Sequence, residues 1–258
     1  MSINYWNYKK DYTKFKKKYL KQLEKVLTSG ELILGSEVKK IERNISKFLN
    51  CKYAVGVNSG TDAILISLMS LNIKKNDEII TTSNTAIPTV SAIVSSGAKP
   101  VFVDIKESDY LIDESKIEKK ITKKTKAIIV VHLYGQSPNM KKINIIAKKN
   151  KIKVIEDCAQ SFGSTHFKKK LGSFGILSAL SFYPTKILGA FGDGGMIVTN
   201  NKKLYSKIKK LRFYGITKNY TSDIHGINSR LDELQASILN LKFKSIVKKI
   251  NQRREIAK

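Results

Sequence analysis

Arginine is scarce in this chain. Of the 48 basic side chains only those at positions 43, 212, 230, 253 and 254 are arginine, and lysine supplies the other 43. A formal net charge of +27 invites a nucleic-acid or membrane partner. Planar phosphate recognition favours arginine, however, and these lysines are spread along every segment rather than gathered into one stripe. We read them as solvated faces, with no nucleic-acid and no membrane partner. Cysteine is almost absent as well: Cys51 and Cys158 have neither metal-ligand spacing nor an evident disulfide logic. The histidines, His132, His166 and His225, are far apart in sequence, so the expected metal set is none. No apolar run reaches the roughly 20 residues of a membrane span. The first residues lack a secretory apolar stretch, and the expectation is a cytoplasmic protein.

With 258 residues, 41% of them hydrophobic, the chain is long enough to bury one large core. Helical spacing of apolar residues predicts helices over 12–27 and 37–49. After a strand at 53–57 and a helix at 62–71 the pattern alternates. Strands are expected at 78–82, 100–104, 127–132 and 152–156, and helices at 87–96, 115–121 and 140–150. Continuous β-branched runs between helical patterns imply βαβ units and a sheet covered on both faces. The fold class is therefore α/β. Ligands of such sheets collect at the carboxyl ends of the strands, which places residues 59–61, 82–86, 132–135 and 157–160 along one rim. Further strands are expected at 177–182 and 195–199, with helices at 201–211 and 231–250. Residues 251–258 continue the last helical pattern without a cap, which suggests a missing part.

Between those two late strands lies the most informative segment, Ser-Phe-Tyr-Pro-Thr-Lys-Ile-Leu-Gly-Ala-Phe-Gly-Asp-Gly-Gly at 181–195. Its one lysine, Lys186, sits among Phe182, Tyr183, Pro184 and Ile187, a setting that disfavours the charged form and suits attack on a carbonyl. Taken alone, the segment is equally a loop with a solvated lysine. Asn-Ser-Gly-Thr at 58–61 follows a strand and opens a helix. There Ser59, Gly60, Thr61 and the helix amides can bind a phosphate, or the turn can be an ordinary capped one. Asp157 closes a central strand, where a buried carboxylate needs a cationic or hydrogen-bonded partner. Gln160 beyond it can donate to a phenolic oxygen, and Ser181 lies five residues before Lys186. Phosphate anchor, strand-end acid and apolar lysine together meet the requirements of pyridoxal 5′-phosphate.

The motifs at 57–63, 100–104, 131–136, 156–161, 181–186, 192–195 and 226–235 resemble, in order, those of the DegT/StrS sugar aminotransferase family. The resemblance implies the large domain of a fold-type I aminotransferase. That is a three-layer α/β/α sandwich on a mostly parallel mixed sheet, with residues 1–240 as the cofactor-binding domain. Residues 241–258 would begin the helix leading to an absent smaller C-terminal domain. It also implies a homodimer with shared active sites. By position Lys186 matches the Schiff-base lysine that forms the internal aldimine, Asp157 the pyridinium partner, and Gln160 the residue against the ring and its 3-hydroxyl. Gly60, Thr61 and Ser181 match phosphate contacts, and Asn228 a residue reaching the neighbouring subunit's cofactor phosphate. The implied activity moves an amino group from glutamate or glutamine to a keto group of a nucleotide-linked sugar, for surface polysaccharide or glycan synthesis. Dehydratases of the family carry histidine in place of the lysine. A truncated, catalytically impaired homologue and a non-catalytic cofactor-binding protein are the other readings. Ala86 stands where many relatives place an aromatic ring. The sugar, the position aminated and the stereochemistry are not encoded in any motif.

Overall fold

The structure is a computed structural model and describes residues 7–217 and 220–257; Lys258, the last residue of the helical pattern expected over 251–258, lies outside them. The chain begins with α1 (Tyr8–Ser29), which starts earlier than its apolar pattern because Asn7 caps it, accepting from the Lys10 amide at 3.0 Å. Gly30 in the left-handed region ends it. In α2 (Ser36–Phe48) the apolar stripe Val38, Ile41 and Ile45 is buried, but no side chain of its own caps the helix. The Glu233 carboxylate does so from far along the chain, accepting from the amides of Glu37 and Val38 at 2.8 and 2.9 Å.

The alternating region follows as β1 (Tyr53–Val57), α3 (Gly60–Ser70), β2 (Glu78–Thr82), α4 (Ile87–Ser95) and β3 (Lys99–Val103). Next come α5 (Glu114–Ile117), β4 (Thr125–Val131), α6 (Met140–Lys149) and β5 (Lys153–Asp157). A two-residue hairpin, β6 (Thr165–His166) and β7 (Lys169–Lys170), precedes β8 (Leu177–Ser181) and β9 (Gly195–Thr199). The chain closes with α7 (Lys202–Leu211), α8 (Glu233–Phe243) and α9 (Ile246–Ile256). The continuous helix expected over 231–250 is broken at Lys244 and Ser245. That break turns α9 so that Ile246 and Ile250 enter the core.

Seven strands form one sheet in the order β1-β9-β8-β5-β4-β2-β3. Five neighbours run parallel in sequence across it, and β9 is antiparallel to both β1 and β8. Alternation along the strands feeds both faces. Met196 and Val198 of β9 join α2, α8 and α9 on one side, while Ile197 joins α3 and α7 on the other. Ile128 and Val130 of β4 face α6, and Ala127 and Ile129 face the opposite layer. The architecture is the three-layer sandwich with a mostly parallel sheet that the sequence implied.

The end of β5 is fixed by a buried polar knot. Glu156 accepts from His132 Nε2 (2.9 Å), from the amides of Gly172, Phe174 and Gly175 (2.9, 2.6 and 2.7 Å) and from the Ser178 hydroxyl (3.2 Å). Burial pushes this carboxyl up, but His132 and the amides outweigh it and leave it below its ordinary value. A group so depressed contributes stability above its unfolded value and loses it as pH falls through the folded one. Glu156→Gln is therefore expected to lose about 2–4 kcal/mol at pH 7 in urea unfolding. The deficit should shrink as pH drops below 4.5, the ordinary glutamate value; a pH-independent deficit would contradict the assignment.

Candidate active site

The parallel strands end at a cavity of about 350 Å³. The turn after β1 supplies one wall. Ser59 caps α3, its Oγ accepting from the Asp62 amide at 3.0 Å, so the helix start faces the cavity. This turn and the end of β8 are pressed together. A Cβ on Gly60 would lie 2.7 Å from the Cβ of Ser181, and one on Gly195 would lie 2.1 Å from the carbonyl oxygen of Ser59. Only glycine allows either approach.

Asp157 forms the floor. Its carboxylate is 5% exposed, accepts from the Thr89 hydroxyl at 2.7 Å and from the Ala159 amide at 3.0 Å, and has no ion pair among the described residues. Adjacent residues of a strand point to opposite faces, which sends Glu156 into the knot below and Asp157 into the cavity. Gln160 lies beside it. Its Oε1 accepts from the Tyr134 amide at 3.1 Å, which leaves its NH₂ as the free donor.

The opposite wall is the loop joining β8 to β9, and it carries Lys186. Phe182 is buried in the core, whereas Tyr183 is exposed and lines the cavity beside the lysine. The return leg is braced from α8. Gln235 Oε1 accepts from the Phe191 amide at 2.8 Å, and Lys242 Nζ donates to the Gly189 carbonyl at 2.8 Å. The Lys242 ammonium also lies 4.4 Å from the centre of the Phe191 ring. Burial pulls its pKa down from 10.5 to about 8. Lys186 itself is half-buried, and its side chain has no hydrogen-bond or ion-pair partner among the described residues. Two further cavities, of about 600 and 320 Å³, also border it.

Six of the seven residues singled out from the sequence, Gly60, Thr61, Asp157, Gln160, Ser181 and Lys186, line this one cavity. Asn228 does not; it is exposed on the loop after α7. Its neighbour Ser229 accepts from the Asn58 amide at 3.1 Å and donates to Asp62 at 2.7 Å, which ties that loop to the turn. The expected rim needs one correction. His132 is fully buried, drawn under the sheet by Glu156, and only Tyr134 and Gly135 of that segment border the neighbouring 600 Å³ cavity. His132, Glu156 and Cys158 do lie within 4.8 Å of one another. The five donors already on Glu156 make this a structural knot rather than a metal centre. Thr85 faces the cavity within the stretch 82–86 expected on the rim, whereas sequence reasoning missed Thr89, which lines it four residues on. The hydroxyl-rich run at 81–89 beside a strand end was the available signal.

A family model described as the DegT/DnrJ/EryC1/StrS aminotransferase family matches residues 13–258. The dTDP-3-amino-3,4,6-trideoxy-alpha-D-glucose transaminase of Micromonospora megalomicea subsp. nigra is 40% identical over 258 residues, all of this chain and 69% of that protein. The structure of S. venezuelae DesV in complex with a ketimine intermediate superposes with a TM-score of 0.92 at 35% identity, over 95% of this chain and 66% of that one. NtdA from Bacillus subtilis, solved with bound cofactor PMP, has a TM-score of 0.85 at 37% identity, over 89% of this chain and 53% of that one. The chain thus spans about half to two thirds of the length of these proteins.

Two outcomes follow from the loop's packing. Gly195→Ala must displace the Ser59 carbonyl and is expected to cost about 1–3 kcal/mol in urea unfolding. For Lys242, the unfolded chain binds more protons between pH 8 and 10.5, so stability rises with pH across that window. The unfolding free energy of the wild type relative to Lys242→Met should increase from pH 8 to pH 10; a constant difference would refute the buried-lysine assignment.

Proposed function

The chain belongs to the DegT/DnrJ/EryC1/StrS aminotransferase family, and from that premise we propose that it aminates a keto carbon of a nucleotide-linked sugar, taking the amino group from glutamate or glutamine. The family's cofactor is pyridoxal 5′-phosphate. The observation that carries the reading is one cavity holding a buried carboxylate with no cation, a glycine-walled helix start and the unpartnered amine of Lys186.

The donor set fits that cofactor. Asp157 offers a desolvated negative charge to a protonated ring nitrogen, and the free NH₂ of Gln160 suits a phenolic oxygen. Ser59, Thr61 and Ser181, with the first turn of α3, offer neutral donors to a phosphate. When bound, the cofactor supplies a carbonyl for the lysine and a ring that accepts electron density from the carbon next to the bound nitrogen. The protein supplies placement and proton transfer. Asp157 would hold the ring nitrogen. Lys186 Nζ, on a loop braced at Gly189 and Phe191, takes the proton from the donor's α-carbon and delivers a proton to the product carbon. Tyr183 and the walls of the flanking cavities surround the space where the substrate carbon must sit.

We read residues 1–240 as the cofactor-binding domain, with 241–258 leading out of it. A homodimer accords with the exposed position of Asn228, which would reach the neighbouring subunit's phosphate, and with the exposed Ile87 beside the cavity mouth. The product would serve surface polysaccharide or glycan synthesis in the cytoplasm, where nucleotide-activated sugars are made. No helix of the described residues is long and apolar enough to cross a membrane.

Purified protein with added pyridoxal phosphate is expected to absorb near the visible edge, and borohydride should fix the cofactor to the peptide containing Lys186. Lys186→Ala should lose the covalent label and drop the half-reaction with glutamate by more than 10³-fold, on the order of a lost nucleophile. Keto-sugar nucleotides should then restore the starting spectrum. A wild-type chain that takes up no cofactor would overturn the reading.

A further inference from the structure

Thr89 is 1% exposed and is held by two short hydrogen bonds, one to Asp157 Oδ2 at 2.7 Å and one with Thr85 Oγ1 at 2.8 Å. The direction of this chain is fixed by its end. An ionised carboxylate only accepts, so the Thr89 proton points to Asp157 and the Thr85 proton must point to Thr89. Thr89 lies in the first turn of α4 and Thr85 in the bend just before the helix's N-cap residue Ala86, and both line the cavity with Asp157 and Lys186.

We propose that Thr85 and Thr89 form a hydroxyl relay that positions the carboxylate of Asp157, and so sets how strongly this site takes a cationic heteroaromatic ring. The inference rests on the cofactor reading above. A carboxylate this buried, with no cation, costs several kcal/mol unless neutral donors replace the lost water. The described structure supplies two, the Ala159 amide and the Thr89 hydroxyl. The amide comes from the strand's own continuation and cannot be removed. Thr89 is the adjustable one. Donation from Thr85 polarises it, and hydrogen bonds in such chains strengthen one another. Each carboxylate oxygen retains a free acceptor site, so the relay orients the group without using up its capacity for a ring N–H. Thr85 and Thr89 are positioning residues here; Asp157 is the group that would touch the ring. Ala86, between them, leaves this face of the cavity without a large ring, so alignment depends more on the carboxylate.

The test compares binding of pyridoxal 5′-phosphate with that of its 1-deaza analogue, in which carbon replaces the ring nitrogen, by fluorescence titration of the apoprotein. Thr89→Val keeps the shape and removes the hydroxyl. It is expected to weaken pyridoxal phosphate about 10-fold, on the order of one hydrogen bond to a charged group, and to leave the deaza analogue within 2-fold. Thr89→Ser should restore binding, and Thr85→Val should show a smaller loss of the same kind. If Thr89→Val does not fold, as judged by its thermal transition, the Thr85→Val selectivity decides alone. Equal losses for both ligands, or none for either, would overturn the relay and leave the cofactor reading standing. A wild-type protein that binds pyridoxal phosphate no better than the deaza analogue would remove the charge pairing and the relay with it. A wild-type protein that binds neither would overturn relay and reading together.

Discussion

Keeping the Asp157 charge out of water is the constraint on which the site depends, and the structure meets it from both faces of the sheet. β5 is the central strand, between β4 and β8. Its last two residues are both acids, and alternation sends them to opposite sides. Glu156 turns inward to five donors, which fixes the strand end and the loop at 172–175. Asp157 turns outward to two donors and an open cavity. The first carboxylate is satisfied and structural. The second is deliberately short of partners, and that shortage is what a cationic ligand would supply.

The reversal of β9 explains how an amine is brought to this carboxylate. A parallel crossover after β8 would carry the chain away over a face of the sheet. The antiparallel return keeps residues 182–194 at the rim, between Ser181 and Gly195. The loop's return leg is then held twice, by Gly195 against the Ser59 carbonyl and by α8 through Gln235 and Lys242. The same helix caps α2 with Glu233 and binds Glu37 through Asn240. One element thus sets the position of the lysine loop relative to the outer layer.

Most strand boundaries were legible within a residue, because the buried parallel strands are short β-branched runs such as 127–131 that fit no helical stripe. Six of the seven candidate residues converge on one cavity for a different reason: Gly60, Thr61, Asp157 and Ser181 sit at a strand end or helix start, and Gln160 and Lys186 on loops that leave such strand ends, where topology gathers ligand-binding groups. What escaped depends on contacts distant in sequence. The cap of α2 comes from a residue 196 positions away. His132 left the rim because a buried acid opposite it was the stronger partner. Thr89 reads as an ordinary helical threonine until β5 places Asp157 against it. The break at Lys244 and Ser245 carries no glycine or proline; beyond it Ile250 packs against Gly163, where a Cβ would meet it at 2.3 Å.

The net charge takes on a more definite role once the cavities are known. Lys186 lies where three of them meet, and the two flanking ones are bordered by Arg253, with Arg254 on one side and Lys242 and Lys249 on the other. No acid of the described residues forms an ion pair with any of these four, and Asp11, which also borders the second flanking cavity, is outnumbered there by the cations. A predominantly positive field over a concave surface raises the local concentration of oppositely charged ligands. Under the proposed function every reactant carries phosphate or carboxylate, so a lysine-rich surface speeds encounter without reading any one of them. Specificity then falls to the few buried contacts at the strand ends. The numerous charges act at range, and the scarce ones, Asp157 above all, act by contact.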